Sequence, residues 1–302
     1  MKVLIAGHVT HDFYDEGIEP GGCAFYGAKV HHAMEGRCRL ATVVGEDFQC
    51  SDSIAQLEYV AVQRGETTAF ANYYPEDGPR QQLLAANAPE VEPDVVDERW
   101  LSADVVHLAP VCGEVDLSAW KQAVGDGLLA INVQGWLKQP GPVVDPARFE
   151  QMQSRGVDKP VPKVVETPWE VTREELAGVD VACLSEEDLI GQTDLLERLV
   201  DAVEVVALTR GAAGSRIYVA GKPTDVDVVP ADVVDPTGAG DVFAAAFVNR
   251  LGAGSDPVEA ARGASAAASV VIEDIGARAL GRLDVELQRR QPPATEHRTP
   301  TT

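Results

Sequence analysis

Six short apolar runs, KVLIAG, RLATVVG, ADVVHLAP, LLAINV, VDVACLS and VEVVALT, punctuate the chain up to Thr209, with helical patterns such as CAFYGAKVHHAM between them. Runs of strand length that are apolar at every position must be buried on both sides, which requires a mostly parallel sheet with helices on both faces. Such α/β sheets bind ligands beyond the carboxyl ends of their strands. The loops after the runs are therefore the places to look for chemistry.

Those loops hold many special residues. His8, His11 and Asp12 follow the first run, and Gly21-Gly22 opens the next helix. Pro110 to Gly113, Gln134-Gly135-Trp136, Ser185 to Asp188 and Arg210 to Gly214 follow later runs. Two segments break the rhythm. TTAFANYY and RQQLLAA, joined by PEDGP, read as an antiparallel hairpin at one edge of the sheet or as a small lid over its end. Lys138 to Pro168 is rich in proline and reads as an irregular loop with at most a short helix near Phe149. After about Leu283 the chain turns polar and rich in Pro and Thr, which predicts a disordered tail over 284–302.

Composition narrows the function. The 302 residues, 45% hydrophobic, suffice for one large α/β domain or two smaller ones. A net charge of −23 argues against nucleic acid, since phosphate backbones are held by clustered Lys and Arg. The acids are spread along the chain, which suits a salt-rich cytoplasm and equally suits an ordinary acidic protein. No apolar run spans a bilayer and the opening residues lack a signal-peptide pattern, so a cytoplasmic protein without a membrane partner is expected. Five cysteines without a C-x-x-C pair read as buried free thiols. His8, His11, His31, His32 and His107 lack the spacing of a metal site.

The densest signal is VVDPTGAGDVFAAAF. Gly238, Ala239 and Gly240 precede Asp241 at the start of an apolar helix, where unpaired N–H groups and the positive end of the helix dipole attract an anion. A tight turn capped by an acid is the plainer reading of the same residues.

Taken in order, GG near the start, LTRGAAGSRIY and DPTGAGD resemble the PfkB (ribokinase-like) family of carbohydrate kinases, over roughly residues 1–281. THDF, GGCAFY, INVQGWL, LSEED and VIEDIGA are most similar to its myo-inositol kinase branch. The resemblance implies a ribokinase-like kinase domain over 1–283 that phosphorylates a hydroxyl of a small polyol, using ATP and Mg²⁺. Myo-inositol leads as acceptor, with ribose, a nucleoside or a hexose as alternatives. A monovalent-cation requirement and a homodimer are left open.

By the same resemblance, Asp241 is the base that takes the acceptor's proton, and Gly238 to Gly240 hold the transferring phosphoryl group. Asp12, Gly21, Gly22, Tyr26 and Gln134 fall at acceptor positions, with glycine letting the acceptor ring approach the backbone. Tyr26 stands near where many members have Asn, so its ring either reshapes the pocket or packs in the core. Ser185, Thr209, Gly211 and Gly214 fall at the nucleotide, and Asp188 holds magnesium through water. Ser185 and Asp188 replace the family's Asn-x-x-Glu, while a local helix cap is their structural alternative. Lys138 could reach a phosphate, though a solvated surface lysine is the plainer reading. The connection from Asp12 to Gly21 is short, which implies a shallow acceptor pocket without a large lid.

A non-catalytic sensor of nucleotide or sugar keeps the same fold; the intact Asp241 speaks against it. A dinucleotide-dependent oxidoreductase fails because AGHVTHD after the first run is not G-x-G-x-x-G.

Overall fold

The computed structural model describes residues 1–283 except 15–16, 35, 74–80, 147–148, 150–151, 153 and 155. Among these, nine strands form one sheet: β1 (Lys2–Ala6), β4 (Arg37–Val44), β5 (Glu58–Gln63), β8 (Val105–Leu108), β9 (Leu128–Asn132), β12 (Val181–Ser185), β13 (Val205–Thr209), β14 (Ser215–Val219) and β15 (Lys222–Val226). The order is β15-β14-β13-β12-β9-β8-β1-β4-β5. All neighbours pair in parallel except β13-β14 and β14-β15, which continue the sheet antiparallel at one edge.

All six apolar runs are strands of this sheet, and alternate residues go to opposite faces. Val3, Ile5, Leu40, Val105, Ala130 and Val181 pack with α1 (Cys23–Ala33), α2 (Ala239–Gly252) and α3 (Pro257–Val271). Leu4, Ala6, Val43, Val106, Ile131 and Val206 pack on the other side with Trp100, Trp120, Leu176 and Leu199. Burial on both faces is what makes the runs continuous instead of alternating.

A second, mixed sheet forms a lid. Its strands are β2 (Thr10–Tyr14), β3 (Gly17–Gly21), β6 (Ala69–Tyr73), β7 (Gln81–Ala86), β10 (Lys138–Val144) and β11 (Val161–Glu166), in the order β10-β11-β7-β6-β2-β3. The hairpin expected from TTAFANYY and RQQLLAA is β6-β7, with residues on both sides paired antiparallel; PEDGP itself lies outside the described residues. Two expectations are corrected. The Pro-rich stretch after Lys138 contains the antiparallel pair β10-β11, and the Asp12–Gly21 connection is itself the β2-β3 hairpin, so the lid is six strands wide instead of small.

The reason is visible in the prolines. Pro140 and Pro142 sit on edge strand β10, and Pro20 sits on the opposite edge strand β3. A residue without an N–H is tolerated where no neighbour waits for the donor. The short helix expected near Phe149 falls on a segment only partly described, and 284–302 lies outside the described residues altogether.

One face of the lid carries Phe13, Ala69, Ala71, Leu83 and Val161, which pack with Phe149 and Met152 into a small core of their own. Strand alternation turns Asp12, Tyr14, Phe70, Asn72, Gln82, Leu84 and Lys138 to the other face. Phe70 and Leu84 join the main core with Cys23 and Cys112, so this second face looks onto the carboxyl ends of the parallel strands.

All five cysteines are free and buried, as expected. Among the described residues no His, Cys, Asp and Glu cluster could hold a metal ion. His31 and His107 are instead links of a buried chain. Asn249 Nδ2 meets His31 Nδ1 at 3.1 Å, His31 Nε2 meets His107 Nδ1 at 3.2 Å, and His107 Nε2 meets Asn132 Oδ1 at 2.9 Å. The chain ties α2, α1, β8 and β9 together with paired polar groups, the arrangement in which burial of such groups is tolerated. No helix among the described residues is long and apolar enough to cross a membrane.

Candidate active site

The site is built around the start of α2. Gly238 caps that helix with φ at +80°, in the left-handed region, and no side chain caps it. Among the described residues the N–H groups of Gly238 and Gly240 donate to nothing, whereas Ala239 N–H reaches Pro236 O and Val242 N–H reaches Gly238 O. Gly240 is exposed, and nothing lies within 4 Å of where its Cβ would be. The turn thus offers open backbone donors at a helix N-terminus beside Asp241 in the first turn.

The turn is held in place by Asp235. Its Oδ1 accepts from Thr237 N–H and its Oδ2 from Gly276 N–H, both at 2.9 Å. Val234 and Asp235 N–H groups donate to Ile272 O. The VIEDIGA segment is therefore the clamp that fixes the turn.

Tyr26, on α1, lies under Gly238. A Cβ on Gly238 would stand 2.4 Å from Tyr26 Cε1, so the glycine is required by contact with the ring as well as by its φ. Burial, then the charges of Asp12, Tyr14, Asp241 and Asp235, push the Tyr26 phenol well above its ordinary range. The Tyr26 ring is part of the core, and its edge lies against Gly238 at the start of α2.

Asp12, on β2, is buried and accepts from Thr10 Oγ1 at 2.8 Å. Gly21 has its backbone against this carboxylate: a Cβ there would lie 2.2 Å from Asp12 Oδ2. Gly22, at φ +93°, has its Cβ direction blocked by His8 O. The pair of glycines serves these packed contacts, which adds to the expectation that they let a ligand approach. Gln134, at the start of the short Gln134–Leu137 helix, accepts from Cys23 Sγ at 3.7 Å. Burial, then the charge of Asp241 and a hydrogen bond to it, raise the Cys23 thiol well above the ordinary range. Cys23 thus lies near both Gln134 and Asp241.

On the other flank, Ser185 and Thr209 are register partners at the ends of β12 and β13, and Glu186 N–H donates to Thr209 O. Asp188 Oδ2 accepts from Ser185 N–H at 2.7 Å and from its hydroxyl at 2.8 Å, while Ser185 Oγ accepts from Asp188 N–H at 3.2 Å. The local cap therefore exists, and it uses one carboxylate oxygen. Asp188 Oδ1 has no hydrogen-bond partner among the described residues. Burial pushes the Asp188 carboxyl up, and Ser185 together with the charge of Lys138 pulls it part of the way back. Gly211 and Gly214 both adopt positive φ, and Val226 O leaves no room for a Cβ on Gly214. Arg210 pairs with Asp225 at 3.2 Å.

Three features escape the sequence. A cleft of about 320 Å³ separates the lid from the turn before α2, lined by Phe13, Tyr14 and Asn72 on one side and Val234 to Thr237 on the other. Glu114, 2% exposed, accepts from the N–H groups of His8, Val111 and Cys112 and so staples the loops after β1 and β8. Lys138 is buried, contrary to the solvated lysine expected. Hydropathy alone signals none of them, because each depends on contacts between segments distant in the chain.

A parallel sheet with a lid over its carboxyl ends, and an acid beside open N–H donors, defines a phosphotransferase with a hydroxyl acceptor. A model of the pfkB family of carbohydrate kinases matches residues 145–282 of the chain. It is 25% identical to a cytidine kinase of Thermococcus kodakarensis over 82% of this chain and 87% of that protein. It is also 25% identical to an inositol 3-kinase of Arabidopsis thaliana over 96% and 80% of the two chains. The fold matches a pyrophosphate-dependent kinase of the ribokinase family, solved with a pyrophosphate analog and myo-inositol, at a TM-score of 0.74 and 21% identity, covering 94% of this chain and 99% of that one.

Proposed function

We propose that this chain transfers the terminal phosphoryl group of ATP to a hydroxyl of a small polyol, with myo-inositol as the leading acceptor. The observation that carries the reading is the placement of Asp241 beside the open N–H groups of Gly238 and Gly240, beneath a lid face that presents Asp12 and Asn72. Asp12 orients the acceptor by accepting from its hydroxyls, and Asp241 takes the proton of the hydroxyl that reacts. The backbone donors hold the phosphoryl oxygens as charge builds on them, with no reorganisation at the moment of transfer.

The residues on the other flank fit a hydrated divalent cation. Asp188 keeps a carboxylate oxygen without a partner, and its burial makes a nearby positive charge favourable. Mg²⁺ held there through water would neutralise the donor's phosphates. Ser185, Thr209, Gly211 and Gly214 line the approach of the nucleotide. Inorganic pyrophosphate is a second donor to consider, because the related kinase solved with myo-inositol is pyrophosphate-dependent. A nucleoside acceptor is the second reading, favoured by the match to a cytidine kinase.

Purified protein tested with either donor against myo-inositol, ribose, fructose, adenosine and cytidine decides between them. Myo-inositol is expected to give the highest kcat/KM. Any other acceptor exceeding it tenfold, about 1.4 kcal/mol of transition-state preference, would reject the acceptor assignment and leave the kinase standing.

A further inference from the structure

The lid leaves and rejoins the main sheet through short connections, and three of them meet at one buried side chain. His8 lies in the first, between β1 and β2, and is fully buried. Its Nε2 is 2.8 Å from the carbonyl O of Pro89, in the connection that returns from β7, and its Nδ1 is 2.8 Å from the hydroxyl of Thr68, in the connection that enters β6. A carbonyl only accepts, so Nε2 carries the proton and Nδ1 accepts from Thr68. The Thr68 hydroxyl in turn accepts from Ala88 N–H at 2.8 Å, which closes a ring of bonds around the three connections. Gly22, where the chain returns from β3, packs against the His8 carbonyl.

Main-chain bonds pin the same stretch. His8 N–H donates to Glu114 Oε1 at 3.0 Å, Val9 N–H to Thr42 Oγ1 at 3.0 Å, and His11 N–H to Thr68 O at 2.8 Å. The next residue is Asp12, whose carboxylate accepts from Thr10 Oγ1 and has Gly21 packed against it. Aliphatic side chains would fill such a space without the cost of burying polar groups. A buried imidazole and hydroxyl with their bonds made instead fix direction. What they direct is the entry of the chain into β2, and so the place of Asp12.

We propose that His8 and Thr68 are positioning residues for the acceptor: their junction sets where the lid holds Asp12 over the main sheet, and neither side chain touches a substrate. The proposal rests on the reading of Asp12 as the group that accepts from the acceptor's hydroxyls. A misplacement of about 1 Å in such a group can cost on the order of 10²-fold in rate. The turn before α2 is held by other bonds, from Asp235 to Thr237 and Gly276 and from Ile272 O to Val234 and Asp235. Loosening the junction is therefore felt at the acceptor and not at the donor.

Thr68→Val removes the hydroxyl with little change of shape, and Thr68→Ser keeps it. Both are compared with wild type and Asp12→Asn in steady-state assays with ATP or pyrophosphate. The acceptor is whichever of myo-inositol, ribose, fructose, adenosine and cytidine gives the highest kcat/KM. Thr68→Val is expected to raise the acceptor KM about tenfold or more, while the donor KM stays within about twofold of wild type. Thr68→Ser should recover most of the loss. Thr68→Val should add little to the acceptor KM of Asp12→Asn, since both act at one carboxylate. Bonds that serve stability alone would lower the melting temperature of Thr68→Val and move neither KM. An acceptor KM within about threefold of wild type in folded Thr68→Val, or a donor KM that rises as much as the acceptor KM, overturns the role. Should Thr68→Val fail to fold, Thr42→Val, which removes the bond to Val9 N–H, decides by the same split: a rise of about threefold in acceptor KM alone is expected, and no rise overturns the role. If Asp12→Asn leaves the acceptor KM unchanged, the reading of Asp12 fails and this inference with it. If Asp12→Asn raises it and Thr68→Val does not, only this inference fails.

Discussion

Gly240→Ala separates what the anion turn does for the ligand from what it does for the fold. No atom lies within 4 Å of the added methyl, and Gly240 has no positive φ, so alanine fits the first turn of α2 without strain. Helix propensity then favours alanine by about 0.5–1 kcal/mol, and the melting temperature should rise by a degree or two. The methyl nevertheless occupies the open space in front of the N–H donors. With one donor lost to the phosphoryl oxygens, turnover should fall by roughly 10²- to 10³-fold.

Gly238→Ala is the counterpart. There the left-handed φ of +80° adds about 1–2 kcal/mol of strain. The Cβ would also stand 2.4, 2.7 and 2.8 Å from three atoms of the Tyr26 ring, which is 2% exposed and cannot retreat, adding about 1–3 kcal/mol of overpacking. Urea denaturation should therefore show a loss of about 2–5 kcal/mol for Gly238→Ala, from the sum of those contributions, and none for Gly240→Ala. If Gly240→Ala keeps turnover within threefold of wild type while remaining folded, the turn is not the phosphoryl site. If Gly238→Ala is as stable as wild type, the packing of Tyr26 beneath it is wrong.

Three further outcomes are expected. Asp188→Asn should raise the Mg²⁺ concentration needed for half-maximal rate and lower turnover, without changing the acceptor KM; an altered melting point with unchanged Mg²⁺ dependence would leave Asp188 as the cap of Ser185 alone. Burial lowers the His107 imidazole from 6.5 to about 4, so the unfolded chain binds the proton first, and stability that is full above about pH 6.5 is lost as pH falls toward 4. At 1.36 kcal/mol per pKa unit the loss reaches about 3 kcal/mol, and a His107→Gln variant whose denaturation keeps the same acid slope would refute the assignment. With a net charge of −23, the melting temperature should climb between dilute and molar potassium chloride as self-repulsion is screened; a flat profile would show that the acids are spaced widely enough not to matter.

The main sheet was legible in the sequence because each of its buried parallel strands is a continuous apolar run, as in KVLIAG and VEVVALT. The glycine turn before α2 was legible because φ +80° at Gly238 and the open face of Gly240 leave few alternatives to glycine. The lid was only half legible. Its central strands β6 and β7 carry hairpin patterning, but edge strands β3 and β10 carry prolines and read as loops. The same gap hid the burial of Lys138 and the cleft beside Asn72, since a lysine in a Pro-rich stretch reads as solvated until the strand it opens is folded over the main sheet. The two tyrosines near the clamp, Tyr14 and Tyr26, meet through Gly276, more than 240 residues later in the chain. No local pattern records a contact at that separation.

On the proposed reading, Asp241 takes the proton of an acceptor hydroxyl while the turn before it holds the phosphoryl group. Product formation followed by phosphorus NMR, with wild type and Asp241→Asn at matched donor and polyol concentrations, tests it most directly. Wild type should form a polyol phosphate at a rate that depends on the polyol. Asp241→Asn should keep its fold and its donor-induced thermal shift while losing roughly two to four orders of magnitude in turnover. Equal rates in the two proteins would exclude Asp241 as the group that takes the acceptor's proton.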